Sequence, residues 1–408
     1  MPVQRPLSGL SEQVNGRPRS DLACASERCS FRAVKDRTLS VDVLRGLVMI
    51  LMALDHARDF FTSFEIDPTD LKTTTVALFV TRFVTHYCAP VFIFLAGTSV
   101  YLSRASGKTT IELAQLLVKR GLWMIVLELT VVRFCWLFNV DYQQTFLQVI
   151  WAIGWSMIVL AGLVFLPVRI VTVIGGLIVV GHNALDAIHV KGRLAPIWSI
   201  VHEKNWTWEP IAGHKVGILY PLVPWIGVMA LGYACGEWMK RPGPARQRLL
   251  LRAGLITTTA FFAVRALNLY GDPHRWSAEK NAAFTVLSFF NVEKYPPSLA
   301  YLLITLGPAL VFLSVFDGAR SGLAKLFALY GRVPLFYYVA HLFVLNGVAY
   351  LLYLAQHNKL PPASGYEHRW SLAGVYAIWL AVVVALYPLC RFFGERKARG
   401  RSWVWSYL

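Results

Sequence analysis

Asp42, Arg45, Met49, Met52, His56 and Asp59 follow one another in steps of 3, 4, 3, 4 and 3. On an α-helix that spacing makes one stripe. Arg45 and His56 are eleven residues apart, which is roughly 16 Å of helix at 1.5 Å per residue. Asp55, His56, Arg58 and Asp59 crowd the far end of the same apolar run, "LSVDVLRGLVMILMALDHARDFF". Ionisable groups inside a membrane span are costly and usually face a bundle interior or a wet cavity. The bland reading is that they only end the helix at the interface. The chemical reading gives each a task. A cation at the near end holds phosphates, and a histidine further in moves a proton. Such a device suits a donor with a charged head and a thin reactive arm, which is the shape of a coenzyme A thioester. His56 would act as general base or as a transient acyl carrier. Asp59, or a carboxylate from another helix, is better placed than Asp55 to orient its imidazole, because adjacent helical side chains do not face each other. Arg45 would bind the donor, and Arg58 would face the acceptor.

Other residues could join this site. His86 and Arg82, in "TRFVTHYCAP", share a helix face near the expected outer end of the second span. They are read as catalytic and acceptor-side candidates, against a plain interfacial histidine. His341, in "FYYVAHLFVLNG", lies inside an apolar run and needs a polar partner or a cavity. It is read either as a donor-binding residue or as an interhelical hydrogen bond. Glu128 and Arg133 interrupt another run, with Asn139 and Asp141 just beyond it. Glu128 is assigned to a structural polar network, and Arg133 with Asp141 to the substrate cavity. Trp198, Trp206 and Trp208 fit a membrane interface as well as a sugar platform. His202 and His214 lack tight ligand spacing, so no metal is expected. Gly232 and Gly236 suggest close helix packing.

The elements that must position these groups are membrane helices. Of 408 residues, 56% are hydrophobic and only 15% charged, and mean hydropathy is +0.49. Soluble chains carry nearer a quarter charged residues. About ten spans of membrane length are expected, near 41–61, 77–102, 119–138, 145–166, 169–186, 217–238, 253–270, 298–316, 333–354 and 372–393. The net charge of +17 does not point to nucleic acid, because the basic residues gather in short links between apolar runs. Four such segments fall on one side of a ten-span chain: the stretch before span one, and those around Arg104–Arg120, Lys240–Arg252 and Arg391–Arg401. The positive-inside rule then puts both termini in the cytoplasm, with anionic lipid as a partner. The expected division is a disordered basic tail over 1–36, an all-α membrane domain over 37–394, and a basic tail over 395–408. No cleavable secretory signal is expected, since the first residues are polar and Arg-rich. The six cysteines form neither a disulfide framework nor a metal-ligand pair.

Several stretches resemble the bacterial branch of the heparan-alpha-glucosaminide N-acetyltransferase-like membrane proteins. They include "SVDVLRGLVMILMALDH", "TRFVTHYCAPVFIFLAGTSVYLSR", "QVIWAIGWSMIVLAGLVFLP", "YPLVPWIGVMALGYACG", "NVEKYPPSLAYLLITLGPAL" and "GRVPLFYYVAHLF". The first stretch is also similar to the O-antigen acetylase type, whose helix-one histidine lands on His56. The resemblance implies a transmembrane acyltransferase in a bacterial plasma membrane. Cytosolic acetyl-CoA would supply an acetyl group to a sugar, or another hydroxyl or amine acceptor, on the outer side. The lysosomal member keeps its catalytic histidine in the segment after helix one, and residues 62–76 contain none here. The glucosamine acceptor therefore does not carry over, and His56 and His86 remain the candidates. A proton-coupled transporter using the same polar groups is the competing reading, and an accessory membrane protein is a third. A homodimer is one assembly the sequence leaves open.

Overall fold

The computed structural model describes residues 19–63, 67–319, 321–361 and 368–399, with side chains from Leu39 onward except at 206–207. The stripe with Arg45 and His56 lies on α1 (Arg19–Phe61). This helix begins inside the segment expected as a tail, whose residues 1–18 lie outside those described. It is followed by α2 (Val76–Thr85), α3 (Cys88–Ala105), α4 (Thr110–Leu127) and α5 (Arg133–Leu137). Then come β1 (Gln144–Leu147), α6 (Val149–Leu163), α7 (Val168–Gly181), α8 (Ala195–Val201), β2 (Asn205–Ile211) and β3 (His214–Ile218). The chain continues through α9 (Leu222–Trp238), α10 (Gly243–Leu267), α11 (Ala282–Phe290), α12 (Leu299–Phe316), α13 (Gly322–Arg332), α14 (Pro334–His357) and α15 (Leu372–Ala398). The basic tail expected over 395–408 is helical as far as Ala398, and 400–408 lie outside the described residues.

Each of the ten stretches expected from apolar patterning contains helix, though not all are helical throughout. Among the described residues, six helical rods are long and apolar enough to cross a membrane. They are Val76–Ala105, Val168–Leu185, Gly243–Leu267, Leu299–Phe316, Pro334–His357 and Leu372–Ala398. The all-α expectation needs one addition, a three-stranded sheet ordered β1-β3-β2. β1 runs parallel to β3 and takes the residues expected to open the span at 145–166. Its alternating burial, Thr145 and Leu147 buried with Gln144 and Phe146 half-buried, is a strand pattern in too short a run to separate from a helix start.

Local chemistry explains the interruptions. Pro90 has no N–H for the carbonyl of His86, four residues earlier. The rod breaks between α2 and α3, and that carbonyl accepts the Tyr301 hydroxyl at 2.8 Å. A π-helical turn, Glu128–Val132, separates α4 from α5. The Glu128 carboxylate accepts the backbone N–H of Trp151 at 3.0 Å, capping the first turn of α6 from outside. Asn268 and Asn358 end α10 and α14 in the left-handed region, which asparagine tolerates.

α1 packs against α2, α3, α12, α13, α14 and α15 and is the axis of the molecule. The α1–α13 contact is backbone on backbone. A Cβ on Gly46 would meet the Phe327 carbonyl, and one on Gly331 would meet that of Asp42. Gly232 plays the same part between α9 and α3, where a Cβ would strike Phe94 O. The sequence reading of close packing at Gly232 and Gly236 is met there. At one end of the bundle Arg246 forms a two-pronged pair with Asp317, at 2.8 and 2.6 Å, with both side chains buried.

Candidate active site at the two ends of the first helix

His56 is buried on the wall of a cavity of about 850 Å³. Its Nδ1 lies 2.7 Å from Nε2 of His341 on α14, with ring planes within 2° of parallel. Nδ1 of His341 lies 2.7 Å from the Tyr337 carbonyl oxygen. A carbonyl only accepts, so the neutral His341 carries its proton on Nδ1. Its Nε2 then accepts from His56 Nδ1–H. That leaves His56 Nε2 with a lone pair, as a general base requires. Trp136 stands edge-on to the His56 ring, centroids 5.0 Å apart. The group that orients His56 is thus His341, where the sequence had pointed to Asp59.

Asp55 faces another way. It accepts from Arg82 Nη1 at 2.8 and 2.9 Å and from the Thr85 hydroxyl at 2.8 Å. Arg58 Nη2 is 3.0 Å and Lys294 Nζ 3.6 Å from the same carboxylate. Arg58 also pairs with Asp59 at 2.5 Å, and Asp59 is partly exposed. Three cations therefore meet two carboxylates on one cavity wall, and Arg58 Nη1 is buried with no partner. Arg82 and Arg58 line the same cavity as His56. Lys294 was missed. It comes from the "VEKYPPS" segment, and its only sequence signal was a lysine next to a proline pair in an outer loop. On that loop His274 Nε2 donates to the Glu293 carboxylate at 3.2 Å, which raises the pKa of the imidazole.

The remaining expected residues stand further off. His86 is buried behind this wall, its ring 5.4 Å from that of Tyr301, and does not line the cavity. Arg133 does not line it either. It donates to the carbonyls of Gln144 and Asn139 at 2.9 and 2.7 Å and reaches Asp141 at 3.4 Å. It ties down the turn whose Asn139 and Gln144 side chains do line the cavity. Arg133 and Asp141, two of the four residues assigned to substrate, are spent on that turn.

At the other end of α1 a second cavity, about 490 Å³, is lined by Arg45, Arg120, Arg332 and Lys397. Arg45 donates to Asp42 Oδ1 at 3.1 Å, Gly331 O at 3.2 Å and Ser99 Oγ at 2.6 Å. Phe92, Ile150 and Tyr338 line both cavities. The two spaces are therefore back to back, one basic and one holding His56, with three side chains common to their wall.

A search of curated proteins found no match. The family model described as "Heparan-alpha-glucosaminide N-acetyltransferase, catalytic" matches residues 37–271. That is more than half of the chain and contains Arg45, Asp55, His56, Arg58 and Arg82, but neither Lys294 nor His341. With six membrane-length apolar helices among the described residues, this multi-pass membrane protein belongs to the heparan-alpha-glucosaminide N-acetyltransferase catalytic-domain family.

Proposed function

We propose that the protein transfers an acetyl group from acetyl-CoA, bound in the basic cavity, to a hydroxyl or amine of a sugar in the His56 cavity. The observation that carries this reading is the pair of back-to-back cavities with unlike chemistry and a shared wall. Arg45, Arg120, Arg332 and Lys397 suit the phosphates of the donor head. The thioester arm would pass between Phe92, Ile150 and Tyr338 to reach His56. His56 Nε2 takes the proton from the acceptor as its oxygen or nitrogen attacks the thioester carbonyl. The C–S bond then breaks, and the sulfur leaves with its electron pair and recovers the proton from His56. Arg58 Nη1 supplies a donor for the oxyanion or for an acidic group of the acceptor.

The same reading fixes an orientation. The basic cavity, the basic links and both termini face the cytoplasm of a bacterial plasma membrane, and ten helices cross it. The clustering of Arg120, Arg332 and Lys397 at the Arg45 end supports that direction.

Acetyl-CoA binding and turnover by the protein in lipid nanodiscs test the proposal. Arg45→Ala is expected to weaken acetyl-CoA binding about tenfold, as loss of a charge-assisted hydrogen bond would. His56→Ala is expected to keep binding and lose about 10²–10⁴-fold in turnover. A folded wild-type protein that binds no acyl-CoA, yet moves a solute along a proton gradient, would be a transporter instead.

A further inference from the structure

A second cluster lies apart from α1. Just past α7, His182 occupies a tight turn, His182–Leu185, and is only 3% exposed. Neither of its ring nitrogens has a hydrogen-bond partner. His202, at the end of α8, is 2% exposed, and its Nδ1 is also unpartnered. The ring centroids of the two histidines are 5.7 Å apart. Asp186 stands between them, with Oδ1 2.8 Å from His202 Nε2. One ligand atom from each of the three residues lies within 4.8 Å of the others.

A neutral imidazole carries one donor and one acceptor. Burying both without partners is unfavourable, and His182 does so while its nitrogens face a carboxylate and another imidazole. A cation that accepts lone pairs removes the conflict. We propose that His182, Asp186 and His202 bind one divalent transition-metal ion, with zinc the best match to two imidazoles and a carboxylate. Zinc takes such ligands at about 2.0–2.2 Å in tetrahedral sites and leaves a fourth position for water. Binding would draw together the three ligand atoms, which now lie within 4.8 Å of one another.

The surroundings are those of a ligand set rather than a chance meeting. Asn183 Nδ2 donates to Asp186 Oδ2 at 2.8 Å, which leaves Oδ1 for the cluster. Asn183 Oδ1 in turn accepts the backbone N–H of Leu299 at 2.8 Å, so this outer partner is fixed to the first turn of α12. Trp198 lies against the His202 ring, centroids 5.7 Å apart. Asp186 is partly exposed, which gives an ion a way in. The ion would join the end of α7 to the end of α8, at the root of the β2–β3 arm. β3 leads into Leu219 and Tyr220, which line the His56 cavity. The metal would therefore set the shape of the acceptor side without touching the reaction.

The test uses untagged full-length protein in nanodiscs, stripped with chelator and reloaded with zinc chloride. Metal content after gel filtration is the readout, with cobalt(II) absorption as the measure of tetrahedral geometry. One zinc per chain is expected in the wild type. His182→Ala and the near-isosteric Asp186→Asn should each bind more weakly by at least the 10–100-fold that loss of an outer-shell partner brings. Asn183→Ala should fall within that range, and His214→Ala should bind as wild type. Zinc should also slow proteolysis of the 186–216 loop in wild type but not in His182→Ala. A wild type that retains no zinc or cobalt overturns the site, as does zinc held equally by wild type, His182→Ala and Asp186→Asn.

Discussion

His56 and His341 are 285 residues apart in sequence and joined by one 2.7 Å hydrogen bond. That bond decides which nitrogen of His56 is basic. Removing it leaves the base in place but frees its tautomer and its angle. His341→Ala should lower kcat about 10–100-fold, the usual effect of losing an orienting partner, and leave KM for acetyl-CoA unchanged. His341→Gln, able to accept from His56 Nδ1–H, should recover part of the loss. Equal falls in both variants together with a collapsed melting temperature would make His341 merely structural. Arg45 and His56 were legible in sequence because one helix carries both, and helical spacing fixes their relation. The roles of His341 and Lys294 were not, because helix α14 and the loop before α12 are placed by tertiary packing. Arg133 misled for a simple reason. A buried arginine has five donors, and a turn rich in carbonyls can occupy them as fully as a ligand can.

Helix ends and junctions carry most of the specification at the scale of elements. The Arg246–Asp317 pair locks the start of α10 to the end of α12. Asp317→Ala strands a buried guanidinium and should cost about 3–5 kcal/mol of stability, read from unfolding in detergent. Replacing both partners with apolar residues should recover most of that, and failure to recover would assign the loss to packing alone. The sequence reading placed Arg246 among the lipid-facing basic links, since nothing local marks a distant aspartate. Long apolar helices were legible because apolar length is itself the membrane criterion. α13 was not counted because it is short and amphipathic, yet it packs against α1 through two glycines. β1 was absorbed into a span because four residues carry too little period to separate strand from helix.

The arrangement of the whole molecule follows from one central helix with a different cavity at each end. Phe92, Ile150 and Tyr338 are common to the two linings. Ile150→Trp should leave acetyl-CoA binding at the Arg45 end near wild type and reduce turnover about a hundredfold, the scale of an ångström-level misplacement of reacting groups. Equal loss of binding and turnover would show that the donor does not thread this wall. The two ends of this device were legible in the sequence, but the wall between them was not, because a cavity is what side chains from many helices leave unfilled.

Phe92, Ile150 and Tyr338 also do something unrelated to group transfer. They are common to the linings of two cavities at opposite ends of α1, so in a membrane protein they would also bar a continuous pore. A residue set that opens too freely would leak protons and discharge the electrical potential that the membrane maintains. The cell therefore has an energetic stake in a tight wall, and the enzyme a kinetic stake in a loose one. On the proposed donor path, faster turnover would be bounded by the conductance that the host membrane tolerates.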